Sequence, residues 1–227
     1  MSLTLYFHPL SSFCQKVLVA LYEKGCDFDR RIIDLGSEKD RAELQALWPF
    51  CKFPVLRDHV RNRVVAESSI IIEYLDHDAA GSYPLIPADG SHALEVRYWD
   101  RVFDQYVQAP MQQIVSDRLT GAGADLSKER ATLETAYGLI DRQVASTQWI
   151  AGLAFSLADC AAAPALFYAS TVQPLPPDLH HLASYLERLQ GRPSVRRVIE
   201  EAAPYFSMYP FAEAIPARFR QGADAPG

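Results

Sequence analysis

The feature that most constrains this chain is an abrupt change of pattern at Gly81. Before it, short runs of strand formers alternate with amphipathic helical stretches. LTLYF (Leu3–Phe7) is rich in strand-forming residues and stops at His8-Pro9. Phe13, Val17, Leu18 and Leu21 then recur at helical spacing until Gly25 supplies a stop. Residues 28–33, FDRRII, read as a second strand, and 38–47 as a charged helix closed by Trp48-Pro49. Residues 53–58 and 63–67 read as two short strands across a turn, and Ser68–Asp78 as a helix opened by a serine. The predicted order is βαβαββα. From the Pro- and Gly-containing stretch 81–90 onward, no strand pattern remains. Helices are predicted over 92–119, 128–148, 156–170, 179–189 and 194–203, punctuated by Gly121, Gly123, Pro174 and Pro193. The expectation is an α/β domain over 1–80, a linker over 81–90 and an all-α domain over 91–227.

The bulk numbers narrow the function classes. The 227 residues are 49% apolar and 22% charged, enough for a packed core in each domain. The net charge of −6, with no run of Lys or Arg, argues against nucleic-acid binding, which needs clustered cations. No basic-plus-apolar leader opens the sequence, and no apolar run reaches the roughly 20 residues a membrane span needs. Cys14, Cys26, Cys51 and Cys160 form neither a CxxC pair nor a disulfide framework. Reduced thiols in a cytoplasmic protein, with no metal, are expected.

The chemistry gathers where the first strand turns into the first helix. HPLSSFCQKVLVAL places Ser11, Ser12 and Cys14 at a helix start, where an anion is stabilised by free N–H groups and the macrodipole. Gln15 and Lys16 are expected to face solvent. Pro54 enters a strand behind Phe53. Glu67-Ser68 pairs an acid with a serine at the position of an N-cap. In the helical half, Ser156 and Asp159 have the spacing of a capping box, with Phe155 before them, and LADCAAAPALFYAS is apolar nearly all round, so this helix is expected to be buried and structural.

Four of these pieces in this order, PLSSFCQKVLVAL, WPFCKFPVL, VAESSIIIEYLD and IAGLAFSLADCAAAP, resemble the cytosolic glutathione transferase superfamily: a thioredoxin-like domain joined to a helical one. The resemblance covers essentially the whole chain. It implies a cis Pro54 that turns the backbone of Phe53 toward an extended peptide, glutathione as co-substrate, and a homodimer. It implies that Glu67 and Ser68 receive the γ-glutamyl ammonium and carboxylate, and that Lys52 and Lys39 meet the glycine end. Ser11 matches the catalytic serine of the serine-type classes, with Ser12 supporting it and Cys14 a possible alternative thiol. A glutathione thiol titrates near about 8.5, so a hydroxyl donor at a helix start raises its thiolate fraction at neutral pH. Serine cannot form a mixed disulfide, which favours transfer of glutathione to a small hydrophobic electrophile over thiol–disulfide exchange. His8, Leu10, Phe103, Tyr106 and Met111 are candidate lining for the electrophile; Asp100 and Asp104 either reach the tripeptide or form a solvated helix face. The competing readings are a glutathione-dependent isomerase or dehalogenase, against whose serine-serine-cysteine pattern Phe13 counts, a reductase using Cys14, and a non-catalytic partner-binding protein on the same fold.

Overall fold

The computed structural model describes residues 2–78 and 83–220. Gly81 and Ser82 of the expected linker, the end of the first expected domain at 79–80, and the last stretch of the second at 221–227 lie outside the described residues. The chain divides into two compact units, residues 1–85 and 86–227.

The first unit contains β1 (Leu3–Phe7), α1 (Ser12–Glu23), β2 (Asp29–Ile32), α2 (Glu38–Leu47), β3 (Val55–Asp58), β4 (Arg63–Ala66) and α3 (Ser68–Asp78). The strands form one sheet in the order β2-β1-β3-β4. β1 runs parallel to β2, with Phe7 opposite Ile32, and antiparallel to β3, with Tyr6 opposite Val55. β4 returns antiparallel to β3, with Ala66 opposite Val55. Side chains alternate across a strand, so Tyr6 and Val55 share one face, where they pack with Ile33 and with Leu44 of α2. Leu5, Leu56 and Val65 lie on the other. α1 and α3 pack against each other, and α1 is buried at every position from Cys14 to Ala20. It ends at Gly25, whose φ of 61° suits a residue without a Cβ. There the Cys26 N–H reaches the Leu21 carbonyl and the Gly25 N–H reaches that of Tyr22, a Schellman closure.

The second unit is helical: α4 (Gly90–Val102), α5 (Ala109–Thr120), α6 (Ser127–Val144), α7 (Leu157–Val172), α8 (His180–Gly191), α9 (Pro193–Ala202) and α10 (Ala217–Arg220), with short 3₁₀ turns at Ala203–Met208 and Ala212–Ala214. Where one regular helix was expected over 92–119, α4 and α5 are joined by a π-helical segment, Phe103–Gln108. One residue added to a turn leaves the apolar recurrence nearly intact, so periodicity does not reveal it. The helix expected to reach Gln148 ends at Val144, and Trp149 instead pairs with Gly152 in a tight turn.

α7 is the centre of this unit, with every residue buried except Ser170. Its start is sealed by Asp159, whose carboxylate accepts from the Ser156 N–H (2.9 Å), the Ser156 hydroxyl (3.0 Å), the Ile150 N–H (3.1 Å) and the Tyr185 hydroxyl (2.6 Å). Phe155 sits edge-on to Trp149, and the Arg192 guanidinium lies 3.9 Å over its ring. The aromatic tail folds back on α7: Phe206 stacks on Phe167, and the Tyr209 hydroxyl meets that of Thr171 at 2.7 Å.

Candidate functional site

The sheet register gathers the candidate residues of the first unit at one edge. β1, β2 and β4 end there and β3 begins there, so the loops carrying Ser11, Lys39, Phe53-Pro54 and Glu67-Ser68 all leave from the same side. Each of α1, α2 and α3 therefore presents its N-terminus to that edge, where free N–H groups favour an anion.

Ser11 is the N-cap of α1, half-buried, with an extended backbone (φ −74°, ψ 116°). Its oxygen accepts the Cys14 N–H at 3.3 Å. Among the described residues its proton goes to no oxygen or nitrogen acceptor; its side-chain neighbour is the Cys14 thiol, a weak acceptor. The loop before it is braced: the Gln15 side-chain amide donates to the Pro9 carbonyl at 2.8 Å, and the Leu10 N–H donates to His8 Nδ1 at 3.2 Å. Burial lowers the His8 pKa against the pull of Asp34, so the ring is neutral at pH 7. It stacks on Phe53, centroids 6.2 Å apart. Ser12 is buried behind Ser11. Cys14 is fully buried, and burial pushes its thiol up to about 12 although hydrogen bonds with the Ser11 side chain and the His8 backbone pull it down. A thiol so placed is a packing group at neutral pH.

The Phe53–Pro54 peptide is cis, with Phe53 half-buried and Pro54 buried. Lys52 and Lys39 are exposed. Lys39 sits in the first turn of α2, whose start is fixed beside β2 by Arg31, which pairs with Asp40 (2.7 Å) and Glu43 (2.6 Å), and by the Asp34 N–H bonded to Asp40.

At α3 the sequence expectation needs a correction. Ser68 is the first helical residue; Glu67 is the cap, its carbonyl accepting the Ile71 N–H at 2.8 Å. Glu67 has φ 69°, a region that costs a non-glycine residue on the order of 1 kcal/mol and that is retained where the backbone must be aimed. Its exposed carboxylate makes no hydrogen bond among the described residues, while Ser68 is buried.

Two further expectations are overturned. Gln15 and Lys16 do not face solvent; they are 2% and 1% exposed. Lys16 Nζ donates to Ser69 Oγ, in the first turn of α3, at 2.9 Å. The signal was available: a helix apolar on every side from Cys14 to Leu21 leaves its polar members no solvent face. Asp100 is also buried, at 2% exposure, rather than part of a solvated face, and Arg101 bonds both Asp100 and Asp104.

The electrophile candidates are divided between the two units. His8 and Leu10 are half-buried in the first unit. In the second, Phe103 and Met111 are buried in the core, Phe103 against the Trp99 ring, and only Tyr106 is exposed. Tyr106 borders an open groove of about 460 Å³ formed with Ala131, Thr135 and Leu139 of α6. Among the described residues no group of three or more His, Cys, Asp or Glu side chains is placed to hold a metal, and no helix is long and apolar enough to cross a membrane. No disulfide joins Cys14, Cys26, Cys51 and Cys160.

A four-stranded mixed sheet with three helix N-termini at one edge and a cis-proline loop between them, followed by a helical unit, is the glutathione transferase fold. The glutathione S-transferase N-terminal domain family matches residues 10–78 and the C-terminal domain family residues 105–201. Glutathione S-transferase 3 of Zea mays is 30% identical over 210 residues, covering 87% of this chain and 93% of the relative. FtsZ-localized protein A of Caulobacter vibrioides is 28% identical over 213 residues, covering 88% and 92%. The crystal structure of glutathione transferase F7 from Populus trichocarpa superposes with a TM-score of 0.77 at 25% identity, over 88% of this chain and 98% of that one. The chain belongs to the glutathione S-transferase superfamily.

Proposed function

We propose that the protein is a glutathione transferase of the serine type, acting as a cytoplasmic homodimer that conjugates glutathione to a small hydrophobic electrophile. The observation that carries the reading is the Ser11 hydroxyl. Its oxygen is engaged by the Cys14 N–H, its proton meets no oxygen or nitrogen acceptor among the described residues, and it stands at the start of α1. A glutathione sulfur beside it receives a hydrogen bond together with the field of the helix terminus, and both favour the thiolate over the thiol. Glu67, Ser68 and the backbone of Phe53 supply a carboxylate, a helix start and a peptide edge for the γ-glutamyl group and the cysteinyl backbone. Lys52 and Lys39 are the cations for the glycine carboxylate. His8 and Leu10, in the first unit, are offered as electrophile contacts. The buried thiol of Cys14 weighs against the reductase reading.

Retention on immobilised glutathione with elution by free glutathione, followed by turnover of an aryl halide, tests the proposal. Absence of retention at millimolar ligand contradicts it. A second reading rests on the Caulobacter vibrioides relative, whose name describes it as FtsZ-localized: a protein-binding role on the same fold. That reading predicts capture of a protein partner with no dependence on glutathione.

A further inference from the structure

We infer that Lys16 is a positioning residue for the γ-glutamyl end of the site, holding the first turn of α3 as a receptor for the ligand's α-carboxylate. The inference rests on the glutathione reading above. Lysine is among the residues least often fully buried, because desolvating its ammonium is costly. Lys16 is nonetheless 1% exposed, on α1, one turn beyond Ser12. Its Nζ is 2.9 Å from Ser69 Oγ, the second residue of α3, next to the buried Ser68. Through Ser69 the ammonium ties α1 to the first turn of α3, where a carboxylate at Ser68 would be received. Its bond to Ser69 also fixes the rotation of that first turn, just after the strained Glu67.

Lys16 thus links the two ends of the candidate site. The same helix whose start carries Ser11 carries, one turn further on, the group that orders the start of α3. The effect of Lys16 is specific to a ligand bearing the α-carboxylate of the γ-glutamyl group. A second tie between α1 and α3, the ion pair of Lys24 with Asp76 at 2.8 Å, is independent of it and keeps the helices together when Lys16 is changed.

The test is calorimetric titration with two ligands, glutathione and 4-aminobutyryl-cysteinyl-glycine, which keeps the amine and lacks the α-carboxylate. Lys16→Met is expected to weaken glutathione about tenfold while changing the analogue less than about twofold. Lys16→Arg, which keeps the charge, is expected to restore glutathione binding to within about threefold of wild type. Ser69→Ala, which leaves the charge and removes the bond that ties it to the first turn of α3, is expected to weaken glutathione about threefold, again without touching the analogue. It carries the test alone if Lys16→Met does not fold. Equal loss for both ligands, or loss for neither, overturns the inference: the first outcome makes Lys16 a purely structural residue and the second an inert one. If the wild-type chain binds no glutathione, the transferase reading falls and this inference with it.

Discussion

Two helix starts in this molecule carry the same local device and put it to opposite uses. Ser11 caps α1 and Ser156 caps α7, each with a partner three residues on, Cys14 and Asp159. At α7 the serine proton is given to the Asp159 carboxylate, which also takes the Ser156 and Ile150 N–H groups and the Tyr185 hydroxyl; everything is buried. At α1 the partner is a thiol that burial keeps protonated, a weak acceptor for the serine where α7 has a carboxylate. A sealed cap is a structural element, and a cap with a donor to spare beside an open edge is a candidate for chemistry. The difference lies in the third residue along, not in the serine.

The comparison can be broken most forcefully at α7. Asp159→Ala would leave four buried donors without their acceptor, each worth about 1–3 kcal/mol, so a loss of at least about 4 kcal/mol in urea unfolding is expected. A loss under about 1 kcal/mol would show that the network does not hold the helical unit. At α1 the balance reverses. Ser11→Ala is expected to cost about 1 kcal/mol of stability, the usual worth of an N-cap, and to lower kcat/KM for an aryl halide by ten- to a hundredfold, about one to two units of thiol pKa. Ser156→Ala, by contrast, should leave glutathione affinity intact in whatever fraction folds.

The smallest effect is expected at Cys14. Cys14→Ala should keep turnover within about threefold of wild type, because a buried group without thiolate character contributes packing alone. Alkylation of the native protein by iodoacetamide, read by peptide mass spectrometry, should modify the half-buried Cys26 and Cys51 before Cys14 and Cys160. Early modification of Cys14 would return the reductase reading to contention.

What the sequence made legible follows the same division between local and tertiary causes. The boundaries of β1 and α3, the Ser156–Asp159 seal and the Gly25 stop are encoded within a few neighbouring residues, and pattern reading finds them. The π segment at Phe103–Gln108 is a single added residue in a helix whose apolar recurrence survives it. Burial of Gln15, Lys16 and Asp100 depends on which elements pack around them, so side-chain polarity alone points the wrong way. The shift of the α3 cap from Ser68 to Glu67 depends on a positive φ at an acid, a conformation that nothing in the sequence requires. Phe103 and Met111 show the converse: an apolar residue at helical spacing is core by default, and only exposure, as at Tyr106, keeps it available to a ligand.

The central claim is that Ser11 lends its proton to a thiolate the chain does not own. The direct measurement is the ultraviolet absorbance of the glutathione thiolate in the binary complex, titrated with pH in wild type and in Ser11→Ala. The account predicts a midpoint in the wild-type complex at least about one unit below that of a free thiol, and a return of one unit or more toward the free value in the variant. Identical midpoints in the two proteins, with glutathione bound in both, would contradict it.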